Sequence, residues 1–167
     1  MAIGHELVGA SLTPVLLADS VQHVAVPTPV TPHAFAMVAH ADMLLPGVTP
    51  PIDQLVSRVL LQLENMKSTA HAPTYDIYLN VPDGADPKAH PELFVKRMTL
   101  FGIAQASDAA SPHSGSGQTF AFDITRLYRR LHAADAIDPA HLRVSFVPVR
   151  AVTGATVSVG RISLYFA

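Results

Sequence analysis

The sequence predicts an all-β fold: an antiparallel β-sandwich or barrel of about seven strands with one short helix at about 123–134. Three observations carry this. Short stretches alternate apolar and polar residues with period two, and turn-forming residues separate them. Only one stretch repeats leucines at helical spacing. The chain holds 14 prolines in 167 residues, a density that suits strands and loops better than helices. Strands separated by long helices, the pattern of a parallel α/β sheet, are missing.

The elements follow in order. "VQHVAVP" (21–27) and "RVLLQLEN" (58–65) read as strands. In the second, Val59, Leu61 and Leu63 would face the core, with Arg58, Gln62 and Glu64 outward. "TYDIYLNV" (74–81) is the third. Tyr75, Ile77 and Leu79 share one face, and Asp76, Tyr78 and Asn80 the other. "LFVKRMTLFGIA" (93–104) reads as a longer fourth strand whose apolar phase changes near Leu100-Phe101, which suggests a bulge. "QTFAFDI" (118–124) is the fifth, with Phe120, Phe122 and Ile124 on one side. "LRVSFVPVRA" (142–151) is the sixth. "ATVSVGRISLYFA" (155–167) closes the chain. There Val157 and Val159 are out of phase with Ile162, Leu164 and Phe166, and a bulge at Gly160 would bring all five to one face. Asp123 or Thr125 can cap the helix "ITRLYRRLHAA", and Arg129, Arg130 and His132 suit the negative end of its dipole.

Three connections stand out: the Pro-punctuated 27–53, the turn-rich 81–92 and the small, polar 107–118, which is expected to be mobile. With no internal repeat and no interdomain linker, the expectation is one domain over 1–167. Within it, 1–54 serves as connector with the first strand or strands and a long Pro-rich loop, and 55–167 as the sandwich core.

Composition narrows the function. Hydrophobic residues are 49% and charged residues 14%, with a net charge of −2 and no basic stripe, which argues against nucleic acid as a partner. No apolar run reaches the length of about 18 residues that spans a bilayer, so no membrane partner is expected. The N-terminus lacks a basic region followed by an apolar core, so no signal peptide is expected. The absence of cysteine removes disulfides, thiolate metal sites and cysteine nucleophiles, and fits a reducing cytoplasm.

Candidate chemistry is sparse. Nine histidines invite a metal reading, but the nearest pair, His33 and His40, is seven residues apart. A dicopper site needs six imidazoles, usually with pairs three or four apart on helices. Met37 and Met43 lie near His33 and His40, and sulfur with imidazole can hold Cu(I); such residues in an apolar loop more often pack inward. "HSGSGQ" departs from G-x-S-x-G by lacking the first glycine and a leading strand. Asp83 with Asp86, and Asp135 with Asp138, sit in turn sequence, where Asp bonds nearby backbone N–H groups. No catalytic, cofactor or metal residue is assigned, and the chain alone is not expected to be an enzyme. Asp76 is expected to be structural, bonding backbone N–H groups or an Arg such as Arg58 or Arg143 on a neighbouring strand.

The order of the motifs adds a resemblance. "TYDIYLN" is similar to the Lys-Phe-Asp-Val-Tyr-Ile-Asn stretch of the C-terminal domain of plant polyphenol oxidases. Tyr75, Asp76, Tyr78 and Asn80 occupy signature positions, and Thr74 replaces the Lys. "PELFVKRMTLFGI", "FAFDITRLYRRLHAADAIDPAHLRVSFVPV" and "VSVGRISLYFA", the last with Gly160, resemble the strands that follow in that family, in the same order. "HELVGASLTPVLLADSVQHVAVP" resembles the connector after the catalytic domain of bacterial tyrosinases. The resemblance implies a β-sandwich that covers a dicopper site and keeps the parent oxidase latent. Both copper ions would be held in a catalytic domain preceding Met1, the partner in the same polypeptide. Phe35, Met37 and Met43 are the candidate side chains to plug the site, with Tyr75 or Tyr78 if a sheet face is used. The alternative is a stand-alone interaction module, with homo-oligomerisation as its role.

Overall fold

The computed structural model describes residues 6–10, 15–17, 22–26, 58–69, 74–112, 115–137, 142–150 and 156–166. Among these residues ten strands form two antiparallel sheets: β1 Glu6–Ala10, β2 Val15–Leu17, β3 Gln22–Val26, β4 Val59–Ser68, β5 Thr74–Leu79, β6 Phe94–Thr99, β7 Gln118–Asp123, β8 Leu142–Pro148, β9 Val157–Val159 and β10 Arg161–Phe166. Helix α1 is Ile103–Ser107 and α2 is Thr125–Ala133. One sheet runs β1–β10–β4–β9–β2 with β7 on the other side of β4; the second runs β3–β8–β5–β6. Among the described residues neither sheet closes into a barrel, so the fold is the sandwich alternative.

All seven expected strands are present, the last as β9 and β10. β1 and β2 add to them and pair with β10 and β9. β4 organises the first sheet: Val59–Glu64 pair with β10, and Lys67–Ser68 with β9. The change of partner falls at Asn65, which has φ 52°, and opposite it at Gly160. The Gly160 N–H donates to Glu64 O at 3.0 Å. A Cβ at Gly160 would lie 2.9 Å from Asn65 Cβ, so only glycine allows this approach. The phase change expected at Gly160 is therefore real, and Val157, Val159, Ile162, Leu164 and Phe166 are all buried. They pack in one core with Leu61 and Leu63 of β4 and with Tyr75, Ile77, Leu79, Val144 and Phe146 of the other sheet.

The fourth expected strand is shorter than the sequence suggests. It ends at Thr99, a turn follows, and α1 occupies 103–107. Gly102 adopts φ 74°, a left-handed conformation that stops the strand. The polar connection 107–118 is pinned where it is described. Ser107 Oγ accepts from Ser68 N and donates to Ile103 O, and Gly117 N donates to Ala106 O. Neither expected residue is the N-cap of helix α2: that position is Ile124, which makes no side-chain cap bond, while Asp123 just before it accepts through Oδ1 from Thr125 N and Thr125 Oγ1 at 3.0 and 2.6 Å. Thr125 Oγ1 also accepts from Val59 N at 2.9 Å, which ties the helix to the start of β4. Leu127, Tyr128 and Leu131 turn inward.

Candidate functional site

The signature strand β5 lies inside its sheet, between β6 and β8. Tyr75 meets Phe146 edge-on, with ring centroids 6.5 Å apart. Asp76 and Tyr78, on the opposite face, are buried as well. Strand alternation expects that face to be open, and it is not.

Asp76 is paired with neither Arg58 nor Arg143. Its Oδ1 and Oδ2 accept from Arg97 Nε and Nη2 at 2.7 and 2.8 Å. Register explains the correction, because Arg97 of β6 stands directly opposite Asp76, whereas on β8 the residue opposite is Val147. Arg58 instead lies 3.8 Å from Asp123. The Arg143 guanidinium bonds Asp83 and the Val81 carbonyl.

Tyr78 packs edge-on against Phe94 at 5.4 Å. Burial, then the neighbouring Asp76 and Asp86 charges, push its phenol above the usual tyrosine range. Asn80 ends the strand at φ 54°, where Asn is tolerated better than most residues. Its N–H donates to Arg143 O and its Oδ1 accepts from Arg143 N, both at 2.8 Å. The side chain thus stands in for a backbone group at the start of β8. Asp76 and Asn80 each have a structural bond to explain them.

The expected carboxylate pairs do turn work where they are described. Asp86 Oδ1 accepts from Lys88 N at 3.0 Å, Asp83 holds Arg143, and Asp135 follows α2 with φ 53°. Asp138, His113 and Ser114 lie outside the described residues, as do Phe35, Met37 and Met43. His90 bonds Glu92 at 2.9 Å and His132 stacks on Tyr128. Among the described residues no group of three or more His, Cys, Asp or Glu could hold a metal ion. Those residues do not fit a copper pair. No described helix is long and apolar enough to cross a membrane.

What the structure adds is a surface. Among the described residues two large hydrophobic side chains are exposed, Phe94 at 41% and Phe101 at 91%. Phe101 sits on the β6–α1 turn. Near α1 an open groove of about 510 Å³ is lined by Lys67, Thr69, Ala104, Ser107, Asp108 and Ser158 among others. The sequence signal for Phe101 was the change of apolar phase at Leu100-Phe101, which reads equally well as a bulge.

The fold defines a class: a two-sheet antiparallel sandwich with a short capping helix. Within that class the chain belongs to the family described as Domain of unknown function (DUF7868), whose model matches residues 4–167. In sequence it is similar to Tyrosinase HcTyr1 of Hahella sp. (strain CCB-MM4), 29% identical over 109 residues, which cover 65% of this chain and 23% of that protein. In structure it is similar to a latent aurone synthase, a polyphenol oxidase from natural source. There the TM-score is 0.52 and the identity 14%, over 89% of this chain and 25% of the other. It is also similar to latent apple tyrosinase, MdPPO1, with TM-score 0.53 and 18% identity over 92% and 27%. At these identities the structural likeness speaks for the fold, that of the C-terminal domain of plant polyphenol oxidases. The chain spans about a quarter of the length of each of these proteins.

Proposed function

We propose that this chain is the non-catalytic C-terminal domain of a tyrosinase-like type-3 copper oxidase. It shields or regulates the dicopper site of the catalytic domain that oxidises phenols or catechols, and assists folding or copper loading there. The observation that carries the reading is the double likeness: in sequence to part of a bacterial tyrosinase, and in fold to part of two polyphenol oxidases described as latent. The sandwich suits the task. Its core joins both sheets and α2 into one cluster, so it can hold a surface feature over a pocket with little ordering cost. A side chain that occupies a mostly apolar pocket excludes substrate by volume alone.

The test is to titrate the purified chain into the matching catalytic domain and follow phenol oxidation. Activity should fall as the chain is added. Unchanged activity together with no binding at micromolar concentration overturns the proposal. The stand-alone interaction module gains no support from these likenesses, and light scattering separates it: a stable homo-oligomer that ignores the catalytic domain would favour it.

A further inference from the structure

The two exposed aromatic rings differ in kind. Phe94 lies against Tyr78 and has a packing role. Phe101 is 91% exposed, and its turn is built to hold it there. Leu100 before it and Ile103 after the glycine are both buried. Ile103 N donates to Leu100 O at 3.4 Å, and Gln118 Nε2 of β7 donates to Phe101 O at 3.3 Å. Gly102 supplies the left-handed conformation that closes the turn. Beyond it α1 packs on β4 and β7. A phenyl ring fixed on such a turn loses little entropy on binding, and aromatic anchors of this sort dominate protein interfaces.

The helix that follows has polar company. Helix α1 begins two residues after Phe101, and its Ala104 and Ser107 line the open groove together with Lys67 and Ser158. Lys67 forms no ion pair among the described residues. Asp108, on the same groove, accepts from Ala110 N. A single exposed ring, followed by a helix whose groove holds one unpaired cation and several hydroxyls, is too small and too polar for a lipid surface. It also carries too little positive charge for nucleic acid. It fits a protein surface with an apolar pocket and a nearby carboxylate.

We infer that the β6–α1 turn is where this chain contacts its catalytic domain, with Phe101 seated in an apolar pocket of that domain and Lys67 facing a carboxylate. The inference rests on the proposed function for the identity of the partner. It places the contact at a described turn of the sandwich rather than on the long Pro-rich connection.

Hydroxyl-radical footprinting tests it in the isolated chain and in the intact parent polypeptide. In the isolated chain Phe101 should label faster than the buried Phe146 and Phe166. In the parent it should fall to their rate, and labelling as fast as in the isolated chain overturns the inference. Phe101→Ala removes a side chain without packing partners, so the isolated chain should keep its melting temperature. After a single cut between the domains of the parent, that variant should bind its catalytic partner about 10- to 100-fold more weakly, the effect of exposing one Phe that the partner buries. Lys67→Glu should weaken binding by about 2- to 5-fold or more, most strongly at low salt. Wild-type affinity in Phe101→Ala overturns the inference alone if that variant still suppresses phenol oxidation. Failure of the wild-type chain to bind overturns both the inference and the proposed function.

Discussion

Asp76→Ala should destabilise the fold, and the structure sets both the size and the asymmetry of the effect. The Asp76 side chain is 11% exposed and accepts two bonds from one guanidinium, at 2.7 and 2.8 Å. In a dry site a fork of this kind would contribute about 2–3 kcal/mol. The Arg97 side chain is 59% exposed, so water screens the pair and the expected loss is nearer 1–2 kcal/mol. For a chain of this length that lowers the melting temperature by about 2–8 °C. Arg97→Ala removes the same two bonds but strands a buried carboxylate, so it should cost more than Asp76→Ala, which leaves behind only a guanidinium able to reach water. Arg97→Lys should recover part of the loss, because it restores charge without the fork. Thermal and urea unfolding followed by circular dichroism read all three variants. An unchanged melting temperature in Asp76→Ala, or a larger loss there than in Arg97→Ala, would refute the reasoning.

Three further outcomes follow from single contacts. Gly160→Ala would place a Cβ 2.9 Å from Asn65 Cβ and should lower stability by about 1–3 kcal/mol; a urea midpoint equal to wild type contradicts the close-approach account. Tyr128 has a buried hydroxyl with no hydrogen-bond partner among the described residues, and burial pushes its phenol up to about 12. Since the folded value lies above the unfolded value of about 10, the folded chain keeps a proton that the unfolded chain releases. Stability is therefore whole below about pH 10 and falls as pH rises toward 12. Tyr128→Phe should be neutral or stabilising at pH 7 and should reduce that alkaline loss, as pH-dependent melting would show. Asp123→Ala removes the acceptor that bonds Thr125 and should cost about 0.5–1 kcal/mol. Those bonds hold the Asp123 carboxyl below the usual range, so its contribution is present above about pH 4 and lost as acid protonates it. The variant and wild type should converge at low pH, and a gap that persists there contradicts this.

The elements that the sequence shows well are those whose own alternation defines them. Val59, Leu61 and Leu63 of β4 and Phe120 and Phe122 of β7 announce their faces, and the leucines of α2 announce its turn. β1 and β2 are not legible in the same way, because "ELVGA" and "VLL" are short and owe their conformation to pairing with β10 and β9, 140 or more residues downstream. The partner of Asp76 was hidden for a related reason. β5 and β6 are joined by the connection 80–93, which contains two 3-10 turns and not a tight two-residue hairpin, so nothing local fixes the register that puts Arg97 opposite it. Phe101 was read as part of a strand. In a sequence, an exposed ring on a glycine-closed turn and a buried ring at a bulge leave the same trace.

The signature stretch itself is structural in its polar residues: Asp76 holds Arg97 and Asn80 holds Arg143.

Phenol oxidation by the parent polypeptide, assayed before and after proteolytic removal of this domain, tests the account most directly. The account predicts low activity in the intact protein and a rise once the domain is removed, reversed by adding the purified chain back. Equal activity before and after removal would contradict it.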